Sequence, residues 1–161
     1  MSANFVKAKA YEKGDEANTK WGGWKILDKA PSDLSWIRKI IRIDPLNAFS
    51  LQSHDHRKEL WEVKQGTLTI ILDGARRELH EGESVHIPLG SVHTMANLST
   101  APVVVEELQE GLCDEHDIHR FGTDLYNRAT ETTDDPVILR SIALFDAILA
   151  EIGAKNSGKK S

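Results

Sequence analysis

A two-residue turn at Asp73-Gly74 places the strongest constraint on what this chain can fold into. The segment TLTIILDGARREL (67–79) has a strand-like run on each side of that dipeptide. Asp-Gly favours the tight turn of a β-hairpin, because both central positions of such a turn require positive φ. The segment is therefore predicted to form two antiparallel strands.

Similar runs recur along the chain at intervals of about 8–12 residues, with glycine and proline turn residues between them. WIRKIIRI (36–43) is rich in β-branched residues, and LWEVKQG (60–66) and APVVVEELQEG (101–111) both end at a glycine. Shorter strands are expected in WGGWKIL (21–27) and within residues 80–99. This spacing predicts an all-β sandwich or barrel.

The pattern changes near the C-terminus, where TTDDPVILRSIALFDAILAEIG (132–153) carries an apolar stripe with helical spacing. Asp135 can cap a helix, Pro136 suits its first position, and Gly153 suits its end. One helix over about 136–152 is predicted. Its stripe could pack on the outside of the barrel or across a dimer interface, and the sequence leaves both open.

These signals divide the chain into four parts. Residues 1–20 are a polar arm, either loose or added to a sheet edge on dimerisation, and 21–128 form the barrel. Residues 129–154 hold the helix, and 155–161 form a flexible tail. A chain of 161 residues can bury a core without disulfides, and Cys113, its one cysteine, can form none within the chain.

Charge and hydropathy narrow the class of partners. The formal net charge is −5, which lacks the basic footprint of a nucleic-acid-binding protein. The N-terminus has no apolar core of a signal peptide, and no run of about 18 apolar residues could span a membrane. The expectation is a soluble cytoplasmic protein with neither a nucleic-acid nor a membrane partner.

LQSHDHRKELW (51–61) carries the densest set of chemically active residues. Residues two apart on a strand share a face, so Gln52, His54 and His56 would project together. Imidazoles bind first-row metals, and an amide oxygen can assist. Glu59 is an odd number of residues from these three, so a regular strand would point it to the other face, and it needs a bend or bulge to join them. Glu62 is an even number of residues away and is the rival carboxylate.

A metal bound by one short segment would be weakly fixed, and GESVHIPLGSVHTMAN (82–97) can supply a further ligand. Gly90 permits a tight turn and Pro88 stiffens the approach to it. His93 then begins a strand, with Met95 on the same face. His93 is therefore a candidate ligand from a second element.

The two segments resemble the paired motifs of the cupins. The first fits Gln52-x-His54-x4-Glu59-x6-Gly66, with glutamine in place of the first cupin histidine. The second fits Gly82-x5-Pro88-x-Gly90-x2-His93-x3-Asn97. The resemblance implies a double-stranded β-helix, or jelly-roll barrel, that binds a divalent metal (Zn, Fe, Mn, Co or Ni). The implied ligands are Gln52, His54, Glu59 and His93, with His56 as a further metal or catalytic candidate.

The likeness is narrower still to the cupin domain of type II phosphomannose isomerases, which also follows the guanylyltransferase domain of bifunctional mannose-1-phosphate enzymes. It covers residues 20–128 and includes Asp117-Ile118-x-Arg120. It implies a homodimeric, metal-dependent isomerase that interconverts mannose 6-phosphate and fructose 6-phosphate. The implied acid or base is Glu62 or His56, and the candidate phosphate contacts are Arg57, Lys58 and Arg120.

Two departures keep other functions open. Asp55 and Leu60 stand where the family usually has histidines. A cupin that binds a sugar or small anion without turnover is one alternative, and another metal-dependent cupin enzyme, such as an oxygenase, is a second. Guanylyl transfer is not expected, since no Gly-rich nucleotide-binding segment precedes the cupin motifs.

Overall fold

The computed structural model describes residues 11–159, so residues 1–10 of the predicted arm and 160–161 of the predicted tail lie outside it. The described part forms twelve strands and one helix. The elements are β1 (Glu16–Asn18), β2 (Gly22–Lys29), β3 (Trp36–Ile43), β4 (Asn47–Ala48), β5 (Leu51–Ser53), β6 (Arg57–Gln65), β7 (Leu68–Leu72), β8 (Ala75–Leu79), β9 (Ser84–Ile87), β10 (His93–Asn97), β11 (Val103–Gly111), β12 (His119–Phe121) and α1 (Pro136–Lys159).

The strands form two antiparallel sheets that enclose a common core. One sheet has the order β1-β2-β3-β11-β6-β9, and the other has β12-β5-β10-β7-β8 with β4 also paired to β10. Alternate residues of each strand face inward, and Ile41, Trp61, Val105 and Ile70 from both sheets lie in one buried cluster. The predicted all-β barrel with a C-terminal helix is confirmed.

The predicted hairpin is present at the predicted residues. Leu72 of β7 pairs with Ala75 of β8, which leaves a two-residue turn. Asp73 and Gly74 have φ of 45° and 80°. Two consecutive positive φ angles match the twist of the flanking strands, which explains the choice of Asp-Gly.

Part of the predicted arm is a strand. β1 pairs with β2, with Glu16 opposite Lys25 and Asn18 opposite Gly23. It lies at the edge of the first sheet. The edge strand therefore forms within one chain and needs no second copy.

The helix begins as predicted and ends later. The Asp135 carboxylate accepts from the N–H groups of Val137 (2.8 Å) and Ile138 (3.2 Å), which caps the first turn. The predicted end at 152 is wrong, because α1 continues through Gly153 to Lys159. Lys155 Nζ donates to the Leu98 carbonyl at 2.8 Å and joins these last turns to the barrel. The predicted flexible tail is thus helical over 155–159.

α1 covers the outer face of the second sheet. Phe145, Ile148 and Ile152 are buried in a cluster that also contains Leu51 and Ile71 of the barrel. The barrel of the same chain therefore covers the apolar stripe, which decides between the two placements that the sequence left open. Within residues 11–159, no helix is both long and apolar enough to span a membrane.

His119 of β12 links its own strand to two other segments of the chain. Its Nδ1 lies 2.6 Å from Glu131 Oε2 and its Nε2 lies 2.7 Å from Asp55 Oδ2. Asp55 belongs to the loop between β5 and β6, and Glu131 to the connection between β12 and α1. Hydrogen bonds to both carboxylates raise the pKa of His119 above its usual value and favour the imidazolium.

This contact predicts a pH-dependent contribution to stability. Since the folded-state pKa is raised, the contribution is complete below the unfolded pKa of about 6.5 and is lost as pH rises through the folded value. His119→Gln should therefore lower the free energy of unfolding more at pH 6 than at pH 9, as measured by urea denaturation. His86→Gln, on an exposed position of β9, is the control, and an equal loss at both pH values would contradict the prediction.

Candidate metal centre in the barrel

Three buried side chains converge inside the barrel. His54, Glu59 and His93 each offer a ligand atom, and these atoms all lie within 4.8 Å of one another. The Nε2 of His54 lies 3.4 Å from Glu59 Oε2, and the Nε2 of His93 lies 3.8 Å from Glu59 Oε1. Both sheets contribute, since Glu59 is on β6 and His93 begins β10.

The break between β5 and β6 gives Glu59 its direction. β5 ends at Ser53 and β6 starts at Arg57, so residues 54–56 form a short loop. Within β6, Arg57, Glu59 and Trp61 are buried while Lys58 is exposed. The interruption that the odd spacing requires is therefore present, and Glu59 faces the same interior as His54.

Both imidazoles are oriented in the way that metal-bound histidines are. The Nδ1 of His54 lies 2.6 Å from the Asp117 carbonyl, and the Nδ1 of His93 lies 2.9 Å from the Ser91 carbonyl. A carbonyl oxygen only accepts, so each Nδ1 carries the hydrogen and each Nε2 presents a lone pair. In the described residues, the buried His93 Nε2 has no hydrogen-bond partner.

The electrostatics favour neutral imidazoles beside an ionised carboxylate. Burial, with Arg57 nearby, lowers the pKa of His54 to about 4, and burial also lowers the pKa of His93. Burial disfavours the Glu59 carboxylate, but the charged Arg57 guanidinium beside it outweighs this and holds the pKa of Glu59 below its usual value. Two neutral histidines and one carboxylate suit a first-row divalent metal, so these residues fit the ion that the resemblance implies.

Arg57 lies directly against this cluster. Its Nε donates to Glu59 Oε2 at 3.0 Å, and one terminal nitrogen lies 3.2 Å from His54 Nε2. The side chain is buried. Arg57 thus faces the interior, as expected of a ligand contact, but its contacts go to two candidate metal ligands.

A second set of polar groups lies behind Glu59 and was missed in the sequence. The Trp61 Nε1 donates to Glu59 Oε1 (2.9 Å) and to Glu107 Oε2 (3.1 Å). Gln109 Nε2 donates to Glu107 Oε1 at 2.7 Å, and Lys39 Nζ lies 3.7 Å from the same oxygen. Burial, together with the Glu59 carboxylate, raises the pKa of Glu107.

The sequence feature that could have identified these residues is the alternation of inward-facing and outward-facing residues along β11. Val103 and Val105 face inward, and Glu107 and Gln109 continue the same inward row. Polar residues in such a row are buried only when they have hydrogen-bond partners. Two of the partners of Glu107, Trp61 on β6 and Lys39 on β3, come from the neighbouring strands, which no local pattern reveals.

Two members of the cluster, Glu59 and His93, line a cavity of about 170 Å³. The polar residues that line it include Gln52, Glu59 and His93. Trp21 and Phe49, whose ring centroids are 4.4 Å apart, also line it. A cavity lined by both polar groups and aromatic rings suits a small polar molecule with a nonpolar face.

Two other predicted site residues line this cavity, and three do not. Gln52 and Arg120 line it. The side chain of His56 is 65% exposed and its Nδ1 lies 3.5 Å from Asp117 Oδ1. His56 is in the loop, where strand alternation does not apply, so the structure does not bring it to the cluster.

The structure places Glu62 and Lys58 on the outer face of β6, although strand parity predicted Glu62 on the ligand face and Lys58 was predicted as a phosphate contact. β6 begins at Arg57, so its odd-numbered residues face inward and its even-numbered residues face out. Lys58 is exposed, and Glu62 forms an outer-face ion pair with Lys64 at 3.2 Å. The structure therefore gives Glu62 no position as an acid or base at the cavity and Lys58 none as a phosphate contact there.

Comparison with solved structures identifies the class of fold. The cupin domain of Schizosaccharomyces pombe Cnp3 superposes with a TM-score of 0.52 at 11% identity, covering 55% of this chain and 64% of that chain. The capsular polysaccharide assembling protein CapF of Staphylococcus aureus superposes with a TM-score of 0.59 at 18% identity, covering 67% and 34%. At these identities the likeness concerns the fold, and the fold is that of a cupin.

Sequence comparison assigns the chain to a family that is more specific than the cupin fold. A family model described as Mannose-6-phosphate isomerase C-terminal matches residues 7–123, and this chain belongs to that family. This chain is 34% identical over 114 residues to the mannose-1-phosphate guanylyltransferase of Escherichia coli strain K12. The matched region covers 70% of this chain and 23% of that protein. This chain is also 33% identical over 129 residues to the alginate biosynthesis protein AlgA of Pseudomonas putida. That match covers 80% of this chain and 26% of AlgA.

These relatives correct the predicted reaction. Their names describe guanylyl transfer and alginate biosynthesis, and neither describes isomerisation. The assignment of this chain as a mannose-6-phosphate isomerase is therefore wrong. The chain spans about a quarter of the length of these relatives, so the enzyme activity in their names belongs to the longer proteins.

Proposed function

We propose that this chain holds one divalent metal ion through His54, Glu59 and His93 and binds a mannose phosphate in the adjoining cavity. The observation that carries the proposal is the orientation of the two buried imidazoles. Each donates Nδ1–H to a backbone carbonyl and presents Nε2 toward the same carboxylate. Gln52, which pairs with His93 across β5 and β10, is the proposed fourth ligand.

The ligand class follows from the relatives and from the cavity wall. The guanylyltransferase relatives are named for mannose 1-phosphate. The cavity offers the buried amide of Gln109 and the carboxyl of Glu107 to hydroxyl groups, and Trp21 to the nonpolar face of a sugar ring. A metal in this position would supply a Lewis acid that orients and polarises a ligand oxygen.

The protein residues divide the remaining work. Trp61 donates to Glu59 and Glu107 at once and so fixes the direction of both carboxyl groups. Arg57 balances the charge of Glu59. The predicted homodimer stays a prediction, and α1 does not require it, because its apolar side is already buried against its own barrel.

Isothermal titration calorimetry tests this proposal. Protein loaded with Zn, Mn or Co should bind mannose 1-phosphate, and removing the metal with a chelator should weaken that binding by about 10-fold or more, the loss of an ordered ligand contact. Glycerol 3-phosphate, which has a phosphate but no sugar ring, should bind more weakly. Failure of the metal-loaded protein to bind mannose 1-phosphate would contradict the proposal.

A further inference from the structure

The cationic side chains that line the cavity differ in whether they have partners. In the described part of the chain they are Lys39, Arg57, Arg120 and Arg128. Lys39 lies 3.7 Å from Glu107, Arg57 3.0 Å from Glu59, and Arg128 2.9 Å from Asp124. Among residues 11–159, Arg120 has no such carboxylate, and its buried Nε has no hydrogen-bond partner.

A buried guanidinium N–H without an acceptor is unfavourable and rare in folded proteins. The donor is therefore expected to meet an acceptor when the cavity is filled. Guanidinium binds phosphate and carboxylate oxygens with two parallel N–H donors, so an anionic group is the matching chemistry.

Strand register places Arg120 in line with the metal cluster. His93 of β10 is opposite Gln52 of β5, and Gln52 is opposite Arg120 of β12. Residues opposite each other on neighbouring strands share a face, and neighbouring strands lie about 4.8 Å apart. The backbone of Arg120 is thus roughly 10 Å from that of His93, with the Gln52 side chain between them.

We infer that Arg120 forms the phosphate subsite of this cavity, so that the ligand's phosphate binds Arg120 while its sugar oxygens face the metal cluster. The inference rests on the proposed function and adds the direction in which the ligand lies. It also selects one of the three cations suggested by the sequence. Arg57 is engaged with Glu59 and His54, and Lys58 is on the outer face.

The test is calorimetry on metal-loaded wild type, Arg120→Gln and Arg120→Lys, with Arg77→Gln as the control at an exposed arginine of β8. Arg120→Gln should weaken binding of mannose 1-phosphate about 10- to 100-fold, the loss of a charged hydrogen bond. Arg120→Lys should give an intermediate affinity, because lysine keeps the positive charge but lacks the two parallel N–H donors of the guanidinium. Metal content and the unfolding temperature should not change, since the Arg120 Nε has no partner among residues 11–159 to leave unpaired.

Two results would overturn the inference: unchanged affinity for mannose 1-phosphate in Arg120→Gln, or a loss of bound metal that accounts for the weakened binding. If the metal-loaded wild type binds no mannose phosphate, the proposed function fails and inorganic phosphate becomes the probe. Phosphate binding that is lost in Arg120→Gln and kept in Arg77→Gln would still uphold an anion subsite. Phosphate that binds wild type and Arg120→Gln alike, or binds neither, would overturn it.

Discussion

Replacing His93 with alanine is expected to lower the affinity of the protein for a divalent metal by more than about 100-fold. Loss of a group that only orients a ligand typically costs 10- to 100-fold, and His93 is proposed as a ligand itself. Its Nε2 is buried, has no hydrogen-bond partner in the described residues, and lies 3.8 Å from Glu59. Competition with a chromophoric chelator gives the affinity directly.

The histidines elsewhere in the chain provide matched controls. His54→Ala should behave as His93→Ala does, because the two imidazoles face the same carboxylate. His86→Ala and His56→Ala should keep the wild-type affinity, since both residues are exposed. Equal metal affinity in all four variants would remove His54 and His93 from the site, and a loss in His56→Ala alone would restore the ligand that the structure places outside.

Replacing Phe145 with alanine is expected to lower the free energy of unfolding by about 3–5 kcal/mol, the range for removing a fully buried aromatic side chain. Phe145 has no exposed surface and lies in the cluster that joins α1 to Leu51 and Ile71 of the barrel. Urea denaturation followed by tryptophan fluorescence measures the change. A loss of this size would show that the helix is part of the domain core.

Leu139→Ala is the control on the same helix, because the Leu139 side chain is 48% exposed. Its effect should stay near the ±0.5 kcal/mol that is usual for surface positions. A similarly small effect of Phe145→Ala would contradict the packing of α1 on its own barrel. A change in oligomeric state without a loss of stability would point instead to the dimer interface that the sequence also allowed.

The sequence predicted the parts of this structure that local chemistry specifies. A two-residue hairpin turn requires positive φ angles that Asp-Gly adopts readily, and the hairpin is found at Asp73-Gly74. His54, Glu59 and His93 were selected by spacing across two segments, and the barrel brings these three together. Long-range convergence was predictable here only because the order and spacing of the two motifs resemble those of a known family.

The errors share a different origin. Glu62 was assigned to the interior because the alternation of faces was extended from β5. The loop at 54–56 interrupts that alternation, and in β6 the odd-numbered residues face inward instead. The helix was ended at Gly153, although a glycine in a helix costs only about 1 kcal/mol relative to alanine and Lys155 holds the following turn to Leu98. Glu107 was missed because its partners on neighbouring strands, Trp61 and Lys39, are identified only once the strand order is known.

X-ray absorption at the metal edge of protein loaded with one equivalent of Co or Zn tests the central claim most directly. The proposed centre predicts scattering from two imidazole rings together with oxygen ligands, and from one ring in His93→Ala. A shell of oxygen atoms without imidazole scattering, or an unchanged spectrum in His93→Ala, would contradict the assignment of His54, Glu59 and His93 as the metal site.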